Sequence, residues 1–236
     1  MPKKQNIVIA IDGYSSSGKS TLAKDLAKKL GYKYIDTGAM YRAITFFALE
    51  NGYIEGNKIK EEQLKKSLKN IKLDFKEIEG KNHIFLNGKD IEGKIRTLKI
   101  STLTSLISTL PFVREYLVAQ QREIAKQGGV VMDGRDIGTV VLPDADIKFF
   151  VTAQLEIRAK RRYYELKNNN QQVSLKEVIQ SIKERDKQDT TRKISPLKKA
   201  PDAIEINNST LNREQQLELA LKYIKEIKKN YEKENK

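Results

Sequence analysis

Hydrophobic positions along the chain follow two periods in turn. Residues 6 to 11, NIVIAI, make an apolar, largely β-branched run of the kind that fills a buried parallel strand. Leu22, Leu26 and Leu30 then recur at helical spacing until Gly31 breaks the pattern. Strand, loop and helix are the first unit. A second helix is predicted over Ala39 to Glu50, ending before Asn51-Gly52. Further on, Gly128-Gly129 precedes the short run Val130 to Met132, and the apolar run Ile147 to Thr152 leads into the helix-like QLEIRAKRRYYELK. Strands alternating with helices predict an α/β fold on a parallel sheet.

Residues 60 to 95 break this rhythm. Leu64, Leu68 and Ile71 predict a short helix, after which Leu73, Phe75, His83 to Leu86 and Ile91 alternate as short strands, with Asn87-Gly88 as a type I′ hairpin signal. An inserted antiparallel subdomain is the economical reading. Ser174-Leu-Lys-Glu177 is a capping-box start for a late helix, preceded by a loop over Asn168 to Gln172. The tail from Gln215 to Lys236 is a lysine-rich amphipathic helix with Leu217, Leu221 and Ile224 on one face. There are no internal repeats.

Composition narrows the chemistry. At 236 residues the chain can bury a proper core, and with no cysteine it has neither disulfides nor thiolate metal sites. His83 is the single histidine, which excludes a histidine metal cluster. The basic start MPKKQN is followed by an apolar run too short for a signal peptide and interrupted by Asp12, and no window approaches a membrane span, so a cytoplasmic protein with no membrane partner is expected. The formal charge of +14 suggests an anionic partner or a lysine-rich proteome.

The stretch Gly13-Tyr14-Ser15-Ser16-Ser17-Gly18-Lys19-Ser20, followed by Thr21, fits G-x-x-x-x-G-K-[ST] between a predicted strand and a predicted helix. Small residues there let successive backbone N–H groups wrap a phosphate chain at a helix N-terminus. Lys19 is expected to reach the β and γ phosphates, and the Ser20 hydroxyl to ligate Mg²⁺. The bland alternative is a flexible strand-to-helix loop with an incidental lysine. A GTPase switch is disfavoured, because the only Asn-Lys pair, Asn57-Lys58, continues as Ile59-Lys60 without the aspartate of a guanine motif. A kinase of small metabolites fits the chain length best.

Together with the loop, the stretches IDTGAMYRA (35 to 43), DIEGKIRT (90 to 97), PFVRE (111 to 115), MDGRDIGTVVLPDAD (132 to 146) and IKERDKQDTTR (182 to 192) resemble bacterial cytidylate kinase, of the nucleoside monophosphate kinase group. The order and spacing match over nearly the whole chain. The resemblance implies a P-loop NTPase-type parallel sheet flanked by helices, with an inserted antiparallel NMP-binding subdomain and a helical lid. A single kinase domain is expected, with core at 1–59, 96–155 and 187–236, insert at about 60–95 and lid at about 156–186. It implies transfer of the γ-phosphoryl group of ATP to CMP or dCMP with Mg²⁺. The alternatives are another small-acceptor kinase (UMP/CMP, adenylate or shikimate) and, more remotely, a nucleic-acid-binding NTPase. The helical lysines are interleaved with glutamate as in GNKIKEEQLKKSLKN, so no nucleic-acid partner is expected, and nothing marks a dimer seam, so a monomer is.

The resemblance also assigns residues. Arg42 and Arg135 grip the acceptor phosphate, a task suited to the guanidinium fork. Asp136 and Ser105 take the cytosine amino group while Arg114 addresses N3 and O2; uracil would turn a carbonyl toward Asp136. Arg185 and Asp189 meet the ribose and Arg192 meets phosphate; their spacing puts them on one helical face if the helix continues. Arg158, Arg161 and Arg162 resemble lid arginines over the donor, like charges on adjacent turns that a triphosphate would reconcile. Thr37 and Tyr41 lie beside the acceptor in the IDTGAMYR motif, Asp36 is placed to hold water or Arg42, and Asp133 sits at a strand end where the metal shell is expected. Lys19, Arg135, Arg192 and Arg158 carry the charge neutralisation. The family often has proline and extra glycine inside the loop, where this chain has Tyr14, Ser15, Ser16 and Ser17.

Overall fold

The computed structural model describes residues 6–234. In chain order the elements are β1 (Val8–Gly13), α1 (Lys19–Leu30), β2 (Lys33–Asp36), α2 (Thr37–Glu50), β3 (Ile54–Glu55), β4 (Lys58–Ile59) and α3 (Glu61–Ser67). A 3₁₀ turn (Leu68–Asn70) leads to β5 (Leu73–Ile78), β6 (Lys81–Leu86), β7 (Lys89–Asp90), α4 (Leu98–Ile107) and α5 (Pro111–Ala125). The rest are β8 (Val130–Gly134), a π-helical turn (Ile137–Val141), β9 (Ile147–Thr152), α6 (Leu155–Asn168), α7 (Leu175–Thr191), β10 (Ile204–Asn207) and α8 (Arg213–Glu234). The chain divides into two compact units, one of residues 1–34, 127–191 and 195–236, the other of 35–126 and 192–194.

The first unit is built on a five-stranded sheet in the order β10-β9-β1-β8-β2, in which β1 runs parallel to both β8 and β9, and β10 parallel to β9. Parallel neighbours require crossover connections, and helices cover the faces, so the central strand is apolar on both sides. Every residue of β1 is buried. Ile9 and Ile11 pack with Leu22, Leu26, Phe149 and Ile224 in the main core. α1 ends as its spacing predicts: Gly31 takes φ 68° and returns its N–H to the Ala27 carbonyl. Gly128 is required for a different reason, since a Cβ there would lie 2.4 Å from the Asn6 carbonyl oxygen.

Ser174 and Glu177 form the predicted capping box in both directions: Glu177 N–H donates to Ser174 Oγ at 3.2 Å, and Ser174 N–H to Glu177 Oε2 at 2.7 Å. The tail helix is longer than predicted at its start and puts Ile224 into the core, with Leu217 and Leu221 packed against it. Residues 235 and 236 of that prediction, and the first five of MPKKQN, lie outside the described residues. No helix among the described residues is long and apolar enough to cross a membrane.

The second unit carries the antiparallel elements. β5, β6 and β7 form a three-stranded sheet, and β3 pairs β4. Asn87 and Gly88 take φ 49° and 79°, as a type I′ turn demands of both central residues. α2 starts two residues before the predicted Ala39, because Asp36 caps it by accepting the Ala39 N–H at 2.8 Å. α4 and α5 lie where the apolar spacing predicts no element; a serine- and threonine-rich composition masks α4, and Pro111 opens α5 at a position where its missing N–H removes nothing.

The ring of Phe149 is 1% exposed at the centre of the main core. Phe149→Ala is expected to lower the unfolding free energy by about 3–5 kcal/mol with an unchanged denaturant m-value, measured by urea unfolding.

Candidate active site

β1 delivers the loop and α1 receives it. A Cβ on Gly13 would fall 2.2 Å from the Val151 carbonyl oxygen on β9, so the loop can leave the sheet there only with glycine. Ser16 and Gly18 take positive φ, 58° and 96°, which turns the backbone back on itself before α1 begins at Lys19. The Lys19 ammonium, buried, donates to the Tyr14 carbonyl at 3.2 Å and so arches over the loop. Asn208 Nδ2 donates to the Ser17 carbonyl at 2.8 Å, and Ser17 Oγ is buried without a hydrogen-bond partner among the described residues. Ser15, Ser20 and Thr21 complete the stretch, with a helix N-terminus behind it.

Asp133 ends inside β8 rather than beyond it, and its carboxylate accepts Ser20 Oγ at 2.7 Å and Tyr34 OH at 2.8 Å. An all-oxygen pair of hydroxyl and carboxylate suits Mg²⁺, which takes one or two protein oxygens and fills its shell with phosphate and water. Among the described residues no group of three or more His, Cys, Asp or Glu side chains is placed to hold a metal ion.

Two arginines of this unit are held by carboxylates three residues apart on α7. Arg135 Nε donates to Asp189 Oδ2 at 2.7 Å, and Arg158 Nη1 meets Asp186 Oδ2 at 2.7 Å. Burial disfavours the Arg135 charge, but the carboxylate of Asp189, followed by those of Asp133 and Asp186, more than reverses this and raises its pKa. The opposite balance holds at Asp186, where burial raises the pKa against the pull of Arg158 and Arg135. Arg161 donates to the Ser17 and Asn208 carbonyls at 3.3 and 2.8 Å, and Arg162 pairs with Glu165 at 2.8 Å. The like charges predicted on adjacent turns are therefore each satisfied by the protein, which removes the need for a triphosphate to reconcile them.

Arg185 and Asp189 share α7, but the helix ends at Thr191, so the condition for Arg192 to share their helical face, that the helix continues, is not met. Arg192 belongs to the second unit. Asp136 is buried directly after Arg135, and its carbonyl accepts the Val140 and Val141 N–H groups of the π-helical turn.

The second unit gathers a different set. Asp36 caps α2 and with Oδ2 receives Arg42 at 2.9 Å and Arg96 at 3.0 Å. Burial would raise its pKa, and the two guanidiniums overturn that, holding the carboxyl below its ordinary value of 3.8. Gly38 leaves room for this pairing, since a Cβ there would stand 3.1 Å from both Arg42 Nη1 and Asp36 Oδ1, a tight contact. Thr37 and Tyr41 are buried on α2, and Arg114, buried on α5, lies with Cζ 5.8 Å from the centre of the Tyr41 ring. Ser105 is half-buried on α4, where its carbonyl accepts Ser108 Oγ at 3.0 Å.

Three residues outside the predicted set stand at these sites. Arg96 shares Asp36 with Arg42, and its signal lay in the DIEGKIRT stretch. Asp186 seats Arg158. Asp12, 3% exposed at the end of β1, accepts the N–H groups of Ile137 and Gly138, each at 2.8 Å, and so ties the residues after Arg135-Asp136 to the strand that launches the loop. An acidic residue closing an apolar run was the only sign of it.

The family model for cytidylate kinase matches residues 9–226. Over 227 residues the chain is 52% identical to the cytidylate kinase of Bacteroides fragilis, covering 95% of this chain and 99% of that protein. It is 50% identical to the cytidylate kinase of Flavobacterium psychrophilum (94% and 100% covered) and 48% identical to that of Bacillus thuringiensis (89% and 92% covered). The chain belongs to the cytidylate kinase family.

Burial lifts the Asp12 carboxyl to about 7, against the two backbone donors that lower it. The folded state therefore keeps a proton that the unfolded chain releases, and this group makes stability fall as pH rises from about 4 to about 7. Asp36 acts in the opposite sense: its contribution is complete above 3.8 and is lost as pH falls below that value. Urea unfolding across pH 3 to 8 is expected to show Asp12→Asn flattening the upper window and Asp36→Asn flattening the lower.

Proposed function

We infer that this chain is an ATP-dependent nucleoside monophosphate kinase: it transfers the γ-phosphoryl group of ATP to CMP, giving CDP and ADP. We extend the acceptor to dCMP. The observation that carries the reading is the phosphate loop closed by Lys19 on Tyr14, within a chain of the cytidylate kinase family.

The roles are those that the family resemblance implies, and the chemistry of the side chains supports them. A backbone that turns through Gly13, Ser16 and Gly18 aims N–H groups inward, where Ser15, Ser17, Ser20 and Thr21 add small polar side chains and Lys19 an ammonium. Ser20 and Asp133 would hold Mg²⁺, which supplies charge neutralisation to the triphosphate when bound. Arg158, Arg161 and Arg162 address the donor. Arg42, Arg135 and Arg192 address the acceptor phosphate, and Arg185 with Asp189 the ribose. For the base, Asp136 and Ser105 take the amino group and Arg114 the acceptor edge, while Thr37 and Tyr41 line the acceptor side; Asp36 sets the direction of Arg42.

The acceptor oxygen of a monophosphate is already anionic at neutral pH, so no general base is needed. Alignment and neutralisation by Lys19, Arg135, Arg158 and Arg192 carry the acceleration. Residues 60–95 as acceptor-binding insert and 156–186 as lid, in one kinase domain, complete the reading, as do a cytoplasmic monomer and the absence of any nucleic-acid or membrane partner.

The test is ADP formation from ATP and Mg²⁺ with CMP, dCMP, UMP, AMP, GMP and shikimate offered separately. A strong response confined to CMP and dCMP is expected; a response led by AMP or shikimate, or ATPase activity dependent only on nucleic acid, overturns the acceptor assignment. Lys19→Ala is expected to slow CMP-dependent turnover by about 100-fold or more, on the order of 3 kcal/mol of transition-state stabilisation, and near wild-type turnover contradicts the role of Lys19.

A further inference from the structure

Arg158 occupies a seat made by three segments of the first unit. Its Nε donates to the Ala153 carbonyl at 2.9 Å, and its Nη1 meets Asp186 Oδ2 at 2.7 Å and the Ser15 carbonyl at 3.4 Å. The remaining face of the guanidinium lies on the Tyr14 ring, with Cζ 5.1 Å from the ring centre. Arg158 is only 6% exposed, so the ring quadrupole acts on a largely desolvated cation, the condition under which such contacts are strongest.

Tyr14 is itself fixed. Its ring stands edge-on to Phe150 of β9, with centres 6.1 Å apart and planes at 79°. Its carbonyl receives the Lys19 ammonium at 3.2 Å. One residue of the phosphate loop thus touches two cations, Lys19 through the main chain and Arg158 through the ring. Neither contact uses the phenol hydroxyl.

We propose that Tyr14 is a positioning residue for phosphoryl transfer: its ring holds the Arg158 guanidinium at the phosphate loop, at a set distance from Lys19, before the triphosphate arrives. Asp186 anchors the same guanidinium from the other side. Its Oδ2 takes the arginine, while Oδ1 is buried without a hydrogen-bond partner among the described residues, so the carboxylate serves the arginine rather than a wider network. With Nε on the Ala153 carbonyl and Nη1 on Asp186 and the Ser15 carbonyl, the guanidinium keeps Nη2 for phosphate oxygens and needs little reordering in the transition state. This rests on the reading of Arg158 as a donor-side cation.

The test is steady-state kinetics of the full chain with ATP, Mg²⁺ and CMP for wild type, Tyr14→Phe, Tyr14→Leu, Arg158→Ala and the Tyr14→Leu/Arg158→Ala double variant. Tyr14→Leu, which keeps apolar bulk against Phe150, is expected to lower kcat about 3- to 10-fold with KM for CMP unchanged, and Tyr14→Phe to restore most of the loss. In the double variant the leucine is expected to add nothing to Arg158→Ala. Fluorinated phenylalanines in place of Tyr14 supply a series of nearly constant shape, in which kcat is expected to fall as the ring face loses negative charge; a merely structural ring would not produce that trend. Wild-type kcat in Tyr14→Leu, an undiminished leucine effect without Arg158, or no trend with fluorination each overturns the proposal while leaving the kinase reading intact. Wild-type turnover in Arg158→Ala overturns the donor role of Arg158 and the role of Tyr14 with it.

Discussion

A guanidinium cannot shed its charge on burial, so a buried arginine must find acceptors, and in each unit that constraint sets arginines against carboxylates. Asp189 takes Arg135, Asp186 takes Arg158, and Asp36 takes both Arg42 and Arg96. Such pairs are poor sources of stability, because desolvating both charges offsets most of their attraction. What they supply is direction. A guanidinium fixed along one edge by a carboxylate presents its other edge in a defined place, and phosphate recognition needs that geometry.

The same economy runs through the phosphate loop. Four consecutive side chains, Tyr14 to Ser17, stand between Gly13 and Gly18, and only Ser16 among them takes a left-handed φ, 58°. A non-glycine residue there stores about 1–2 kcal/mol of backbone strain, which the neighbouring contacts must hold. Lys19 on the Tyr14 carbonyl and Asn208 on the Ser17 carbonyl do so from opposite ends. Serine in place of glycine is compatible with a phosphate cradle whose donors are backbone N–H groups.

Local patterns were legible in the sequence wherever the physics is local. The phosphate loop, the Gly31 helix stop, the Ser174–Glu177 capping box and the Asn87-Gly88 turn each depend on residues within a few positions of one another. Partnerships across the chain were not. Arg135 meets a carboxylate 54 residues away, and Asp12 accepts N–H groups 125 and 126 residues away, distances over which no spacing rule operates. For the same reason Arg158 and Arg161 read as mutually repelling charges, although Asp186 and the Asn208 carbonyl partner them. Arg192 would share the face of Arg185 and Asp189 only if the helix continued, and α7 stops at Thr191.

The arginines, on this view, are aligned before nucleotide binds. Arginine-side-chain NMR of the nucleotide-free protein tests that most directly, through the Nε–H of Arg135 that donates to Asp189 at 2.7 Å. A resolved, slowly exchanging signal that disappears in Asp189→Asn is the expected result. A signal averaged with solvent until CMP is added would mean that the substrate, and not the buried carboxylate, orders the arginine.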